Sequence, residues 1–156
     1  MLHNLEKKGE VYRITSGIYT FQEDIRVVGF AFRPFYYGLE DALYLRGLLE
    51  QGSNPVIIST RKVRSGLRSF RGRNYVIHRI GSRHFFGFEL IRSGDMWIPV
   101  SDVEKTLLDL IYFRHYIQDD SLKGIMRLIS KDKIERYLKR YDLRFANKVR
   151  LFLKKK

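Results

Sequence analysis

Positive charge in this chain is gathered into two blocks, and any fold must keep both of them near the surface. Residues 59–92 carry a net charge of +8 and residues 123–156 a net +10, while 93–122 between them carry −4 and 1–58 carry −1. Like charges held together repel and destabilise a compact state. Two cationic stretches flanking an acidic one therefore point to a polyanionic partner, and nucleic acid is the simplest.

A length of 156 residues suits one domain. With 44% apolar and 14% aromatic residues the chain can build a core, which argues against disorder. Cysteine is absent, so disulfides, thiolate metal sites and cysteine nucleophiles are excluded and a cytoplasmic setting fits. No apolar run reaches the roughly 18 residues of a membrane span. Met1–Gly9 lacks the apolar stretch of a signal peptide.

Local patterns predict the elements. Residues 2–8 read as the end of a helix, with Leu2 and Leu5 on one face and Gly9 placed to stop it. Val11–Phe21 reads as a hairpin about Ser16-Gly17. Arg26–Phe32 reads as a strand closed by Pro34, Leu39–Glu50 as a helix stopped by Gly52, and Val56–Thr60 as a buried strand. Asn74–Ile80 and His84–Ile91 flank Gly81-Ser82 and read as a second hairpin, followed by a short strand at Met96–Val100. Ser101 and Glu104 have capping-box spacing and open a helix to about Ile117. Gln118–Ser121 is a polar break, and short helices follow, with Ser130 and Asp142 as N-caps. Trp97 and most other aromatics are assigned to the core. The expected fold is α+β: a mixed β-sheet packed by two helices, a remnant winged-helix hairpin at the N-terminus and a basic helical C-terminal extension.

Four motifs occur in order: Leu2-x-x-Leu5-x-Lys7-Lys8-Gly9-x-Val11-x-Arg13-x-x-x-Gly17-x-Tyr19, Tyr37-Gly38-x-x-x-Ala42-Leu43-x-x-x-Gly47-Leu48, Val56-x-x-Ser59-Thr60, and Pro99-Val100-Ser101-x-x-x-Lys105-Thr106-Leu107-Leu108-Asp109-Leu110. Through about Tyr116 this order resembles the AbiEi-type antitoxins and transcriptional regulators of AbiE toxin–antitoxin pairs. The resemblance implies that residues 1–24 are the recognition-helix end and wing of a partial winged helix. It further implies an α+β antitoxin-like domain over 25–118, with 119–156 as the basic helical extension. It also implies operator binding and a nucleotidyltransferase-like toxin as partner.

Residue chemistry narrows the contacts. The first basic block holds Arg61, Lys62, Arg64, Arg68, Arg71, Arg73, Arg79, Arg83 and Arg92, eight of its nine cations being arginine. Arginine gives planar, bidentate contact to phosphate. Gly66, Gly72 and Gly81 allow the backbone to bend close to a polyanion. Arg13, near the tip of the first hairpin, is a further phosphate contact. The candidate nucleic-acid-binding set is thus Arg13, Arg61, Lys62, Arg64, Arg68, Arg71, Arg73, Arg79 and Arg83, with double-stranded DNA as the expected partner and no membrane.

Catalytic sites are not expected. A metal nuclease needs an acid followed at two positions by lysine, but Glu104 and Lys105 are adjacent, and Asp95 or Glu89 would have to supply the first carboxylate. Lys105 and Asp109 read as an i,i+4 pair. His3, His78, His84 and His115 lack zinc-ligand spacing, although His78 and His84 could meet across a hairpin. No nucleotide-binding glycine motif occurs. The sequence therefore supports a non-enzymatic regulator without cofactor or metal. The alternatives are a protein-interaction module that neutralises a toxin without touching DNA, and a metal-dependent nuclease.

Overall fold

Glycine sets the first boundary. Helix α1 (Leu2–Lys7) gives way at Gly9, whose φ of +73° suits a residue without a Cβ. Strands β1 (Tyr12–Thr15) and β2 (Ile18–Thr20) then pair antiparallel across Ser16-Gly17, as expected. The structure, a computed structural model, describes all residues from Met1 to Lys156.

Arg26–Phe32 is not the expected strand. Ile25–Phe32 forms a 3-10 helix. A short continuous apolar run suits either state, and its neighbours decide. Asp24 caps the first turn by accepting from the Arg26 amide at 2.9 Å. The Tyr37 phenol accepts from the Gly29 amide at 3.1 Å and donates to the Arg26 carbonyl at 2.6 Å, replacing the partners a neighbouring strand would supply. Gly29 itself is pressed against the ring of Phe35, which leaves no room for a Cβ.

Strand β3 (Phe35–Tyr37) leads into α2 (Leu39–Leu45). That helix ends short of Glu50 because Gly47, at φ +76°, turns the chain before Gly52 is reached. Strand β4 (Val56–Ser59) is buried along its whole length, as its composition predicts. The expected pairing of 74–80 with 84–91 does not occur. Instead β5 (Gly66–Phe70) pairs with β6 (Arg73–Arg79), and β7 (Phe88–Ser93) with β8 (Met96–Ser101). The reason is turn chemistry: Arg71 and Gly72 both have positive φ, 51° and 78°, the conformation that joins adjacent antiparallel strands without splaying them. Gly81 instead enters a short 3-10 turn, Ser82–His84.

The sheet has the order β5-β6-β4-β3-β8-β7. β4 runs parallel to β6 and β3 to β8, while the remaining pairs are antiparallel. Alternation along β3 sends Phe35 and Tyr37 to one face and Tyr36 to the other. On the first face the 3-10 helix and the β1–β2 hairpin set Ile14, Val28 and Phe32 against Ile57, Tyr75 and Ile77. The second face carries α3 (Val103–Tyr112), α4 (Asp119–Leu128), α5 (Lys131–Leu138) and α6 (Leu143–Lys154). Ile125, Ile134, Leu138 and Val149 from the last three helices enter the same core as Tyr36, Val56 and Leu107. Residues 119–156 therefore help to build the domain and are not an appendage to it. No helix is long and apolar enough to cross a membrane.

Helix starts largely follow the sequence. Ser130 and Asp142 accept from Lys133 and Phe145 amides at 3.3 and 2.8 Å, as N-caps should. The capping box at Ser101 is displaced by one residue. Asp102 is the cap, accepting from the Lys105 amide at 2.7 Å, while Ser101 closes β8 with its hydroxyl 2.6 Å from that of Thr106. The polar segment 118–121 belongs to the start of α4, where Asp119 and Asp120 suit the positive helix end. Helix α3 stops at Tyr112 instead of Ile117. Trp97, expected in the core, is 58% exposed.

Candidate nucleic-acid interface

The basic residues of the first block are carried by the β5–β6 hairpin and the loop before it. Within β6, Tyr75 and Ile77 are driven into the core, and Arg73 and Arg79 lie at the two ends of the same face. Because β4 and β6 run parallel, with Ser59 opposite Arg79, the loop after β4 places Arg61, Lys62 and Arg64 at the end of the sheet where Arg79 sits. The Arg79 amide donates to the Ser65 hydroxyl at 3.2 Å and ties that loop to the strand. Arg71 and Arg73 lie at the opposite end, and Arg68 faces Tyr75 between them. Six residues of extended chain separate Arg73 from Arg79, so the strip is about 20 Å long.

The N-terminal hairpin is seated against this strip. The Tyr75 hydroxyl donates to the Ile14 carbonyl at 3.4 Å, and Tyr12 meets Phe70 edge-on with centroids 6.4 Å apart. The Arg71 guanidinium lies 4.2 Å from the centre of the Tyr12 ring. Arg68 donates to the Thr15 hydroxyl at 3.4 Å and stands 5.4 Å from the ring centre of Phe32. Arg13, between the anchored Tyr12 and Ile14, alternates to the outer face of the hairpin and remains exposed.

Arg68 is half-buried and the other eight candidate residues are exposed. Arg83 lies apart from the strip. Its turn leads to His84, which stacks on Tyr141 at 4.3 Å, and Arg140 stands 4.7 Å from the centre of Phe86. Here the first basic block meets the second.

Compensation of this charge is slight. The one carboxylate within ion-pair distance of the candidate set is Glu23, 3.7 Å from Arg71. The Arg61 guanidinium donates only to the Ala31 carbonyl, at 3.3 Å. Three of the six acids of the acidic stretch are engaged elsewhere, and none of the six reaches the candidate set: Asp102 and Glu104 each hold Lys133 at 3.2 Å, and Asp109 holds Lys105 at 2.6 Å. In the second block, Arg150 pairs with Glu135 at 2.8 Å.

Of the residues weighed for catalysis, Glu89, Glu104 and Lys105 are held by neighbouring groups, while Asp95 is exposed. Glu104 accepts from the Ser130 amide at 2.8 Å and so caps the approach to α5. Lys105 is fully buried, donating to Asp109 and, at 2.9 Å, to the Tyr141 hydroxyl, while Tyr36 donates to Asp109 at 2.6 Å. Burial pushes the Lys105 ammonium below and the Asp109 carboxyl above their ordinary values, against the attraction between them. Glu89 is bound to Arg46 at 3.0 Å. His78 does not meet His84; it lies 5.7 Å from His115, whose Nδ1 is 2.6 Å from Glu40. No three His, Asp or Glu side chains converge in a way that could hold a metal ion.

Exposure of the arginines is legible in the local charge excess. Strand β5 is not among the expected elements, although Arg71-Gly72 between β-formers is a usable turn signal. No local signal assigns Tyr12 and Thr15 as supports for Arg71 and Arg68. Comparison with known families finds no family model that matches the chain, and comparison with curated proteins finds no match.

Proposed function

We propose that this protein is a non-enzymatic regulator that binds double-stranded DNA through phosphate contacts. The reading rests on one observation: a strip of cationic side chains, all exposed but the half-buried Arg68, that the acidic segment of the same chain leaves unpaired. Arg61, Lys62, Arg64, Arg68, Arg71, Arg73 and Arg79 follow the backbone of one duplex face, Arg13 adds a contact from the docked hairpin, and Arg83 reaches towards the second basic block. The aromatics nearest the strip are buried, as Phe70 and Tyr75, or covered by arginine, as Tyr12. Within the strip itself they offer no open ring on which unpaired bases could stack, which favours a duplex over a single strand there; Phe21, 76% exposed just after β2, lies outside the strip. The resemblance to AbiEi-type antitoxins adds a cytoplasmic role in repressing, and neutralising the toxin of, an AbiE-type pair.

Filter binding of a DNA duplex across a salt series tests this reading. Each neutralised phosphate contributes about −0.9 to the slope of log K against log[salt], so about six engaged cations give a slope near −5. Absence of binding at low salt, or binding indifferent to salt, rejects the proposal.

A further inference from the structure

The opposite edge of the sheet has a different character. Strand β7 has no neighbour beyond it, and its residues Phe88–Leu90 are exposed in succession. The register with β8 places Leu90 opposite Pro99 and Arg92 opposite Trp97, so Phe88, Leu90, Trp97 and Pro99 share one face. Leu90 is 64% and Trp97 58% exposed. Phe30, Pro34 and Phe85 continue this apolar groove. A free strand with neither lysine nor proline to blunt it is a ready template for another strand.

Charge selects the occupant. The molecule carries +13 overall, and two copies repel wherever their cations meet. At the other edge Arg68 lies on the outer strand β5, with Arg71 in the adjoining turn and Arg73 and Arg79 on β6 behind it, so a second copy docked there would bring these cations together. β7 holds one acid and one base, Glu89 and Arg92, β8 holds no charged residue, and Asp95 lies in the turn between them. Of the two sheet edges this is the one that brings fewer cations together, Arg33 being the one charged residue that lines its groove.

We propose that β7 is a homodimer interface, in which β7 pairs antiparallel with β7 of a second copy about a two-fold axis through Leu90. A two-fold axis normal to the sheet keeps each side chain on its own face, so only every second register is allowed. Centring on Leu90 sets Leu90 against its own image and Phe88 against Arg92 of the second copy, a cation–π pair formed twice. Centring on Glu89 or Arg92 would oppose like charges. Centring on Ile91 would set Leu90 against Arg92 and leave Phe88 unpaired. The dimer is independent of DNA binding and leaves both arginine strips at the outer edges of a continuous sheet.

The absence of cysteine supplies the test. Leu90→Cys introduces a single thiol, and directly opposed residues of antiparallel strands have Cα atoms about 4.5–5.5 Å apart, within disulfide range. After nuclease treatment and in high salt, oxidised Leu90→Cys protein yields a disulfide-linked dimer, while Leu67→Cys, equally exposed on β5, does not. Sedimentation equilibrium of the unmodified chain shows a monomer–dimer equilibrium, and Leu90→Arg raises its dissociation constant by about 30-fold or more, as at a central interface residue. A monomer at every concentration reached, equal cross-linking of the Leu90→Cys and Leu67→Cys proteins, or a dimer untouched by Leu90→Arg overturns the proposal. Circular dichroism confirms that each variant is folded.

Discussion

Lys105 donates to Asp109 one turn further along α3, and neither side chain reaches solvent. The pair is closed in by Tyr36 and Tyr141, whose hydroxyls complete its hydrogen bonds. Two charges removed from water are tolerable together and costly apart. Lys105→Met and Asp109→Leu are each expected to destabilise the fold by about 3–5 kcal/mol, and the double variant by less than their sum. Urea unfolding in a double-mutant cycle measures this. Strictly additive losses would show that the two groups are not coupled.

The candidate arginines divide by their attachments. Arg64 and Arg79 form no ion pair, so Arg64→Ala and Arg79→Ala should weaken duplex binding alike for all sequences and reduce the salt slope by about 0.9 each, with melting temperature unchanged. Arg68 and Arg71 also lie over Phe32 and Tyr12. Their alanine variants should lose a further 0.5–1 kcal/mol or so of stability by loosening the N-terminal hairpin. Calorimetry alongside the binding series separates the two groups, and equal melting temperatures for all four variants would contradict the assignment.

Burial lowers the pKa of both His78 and His84 below the ordinary imidazole value. His115 reinforces the shift at His78 and Glu40 opposes it; Lys105 and Arg83 reinforce it at His84, while the hydrogen bond with the Arg140 backbone and the charge of Asp142 oppose it. The unfolded chain therefore takes up these protons first as pH falls through about 6.5. Their contribution to stability is complete above that value and declines as pH drops towards the folded pKa values. Unfolding monitored from about pH 7.5 to about pH 5.5 should show falling stability, and the His78→Gln/His84→Gln variant should flatten the dependence. A slope unchanged by the substitutions would assign it to other groups.

Gly29 has Phe35 where its Cβ would stand, whereas Gly81 has open space. Gly29→Ala is expected to cost about 1–3 kcal/mol or more by overpacking, and Gly81→Ala almost nothing. Thermal denaturation of the two variants makes the comparison; equal melting temperatures would mean that the 3-10 helix shifts freely on β3.

The features that local chemistry controls are readable before any fold is known. Ser130 and Asp142 cap their helices because a side chain three positions from an amide reaches it whatever the rest of the molecule does. The turn at Ser16-Gly17, the buried β4 strand, the α+β order and the exposure of the arginine block have equally short-range causes. Ile25–Phe32 departs from its expected strand because its state depends on the Tyr37 phenol and the Phe35 ring. Lys105 reads as one half of an ordinary helix pair until Tyr36 and Tyr141, from separate elements, enclose it. Arg68 meets Thr15 across 53 positions of chain. Such contacts arise only when whole faces pack together, and the free energy that selects those faces is summed over the entire core, beyond the reach of any short window of residues.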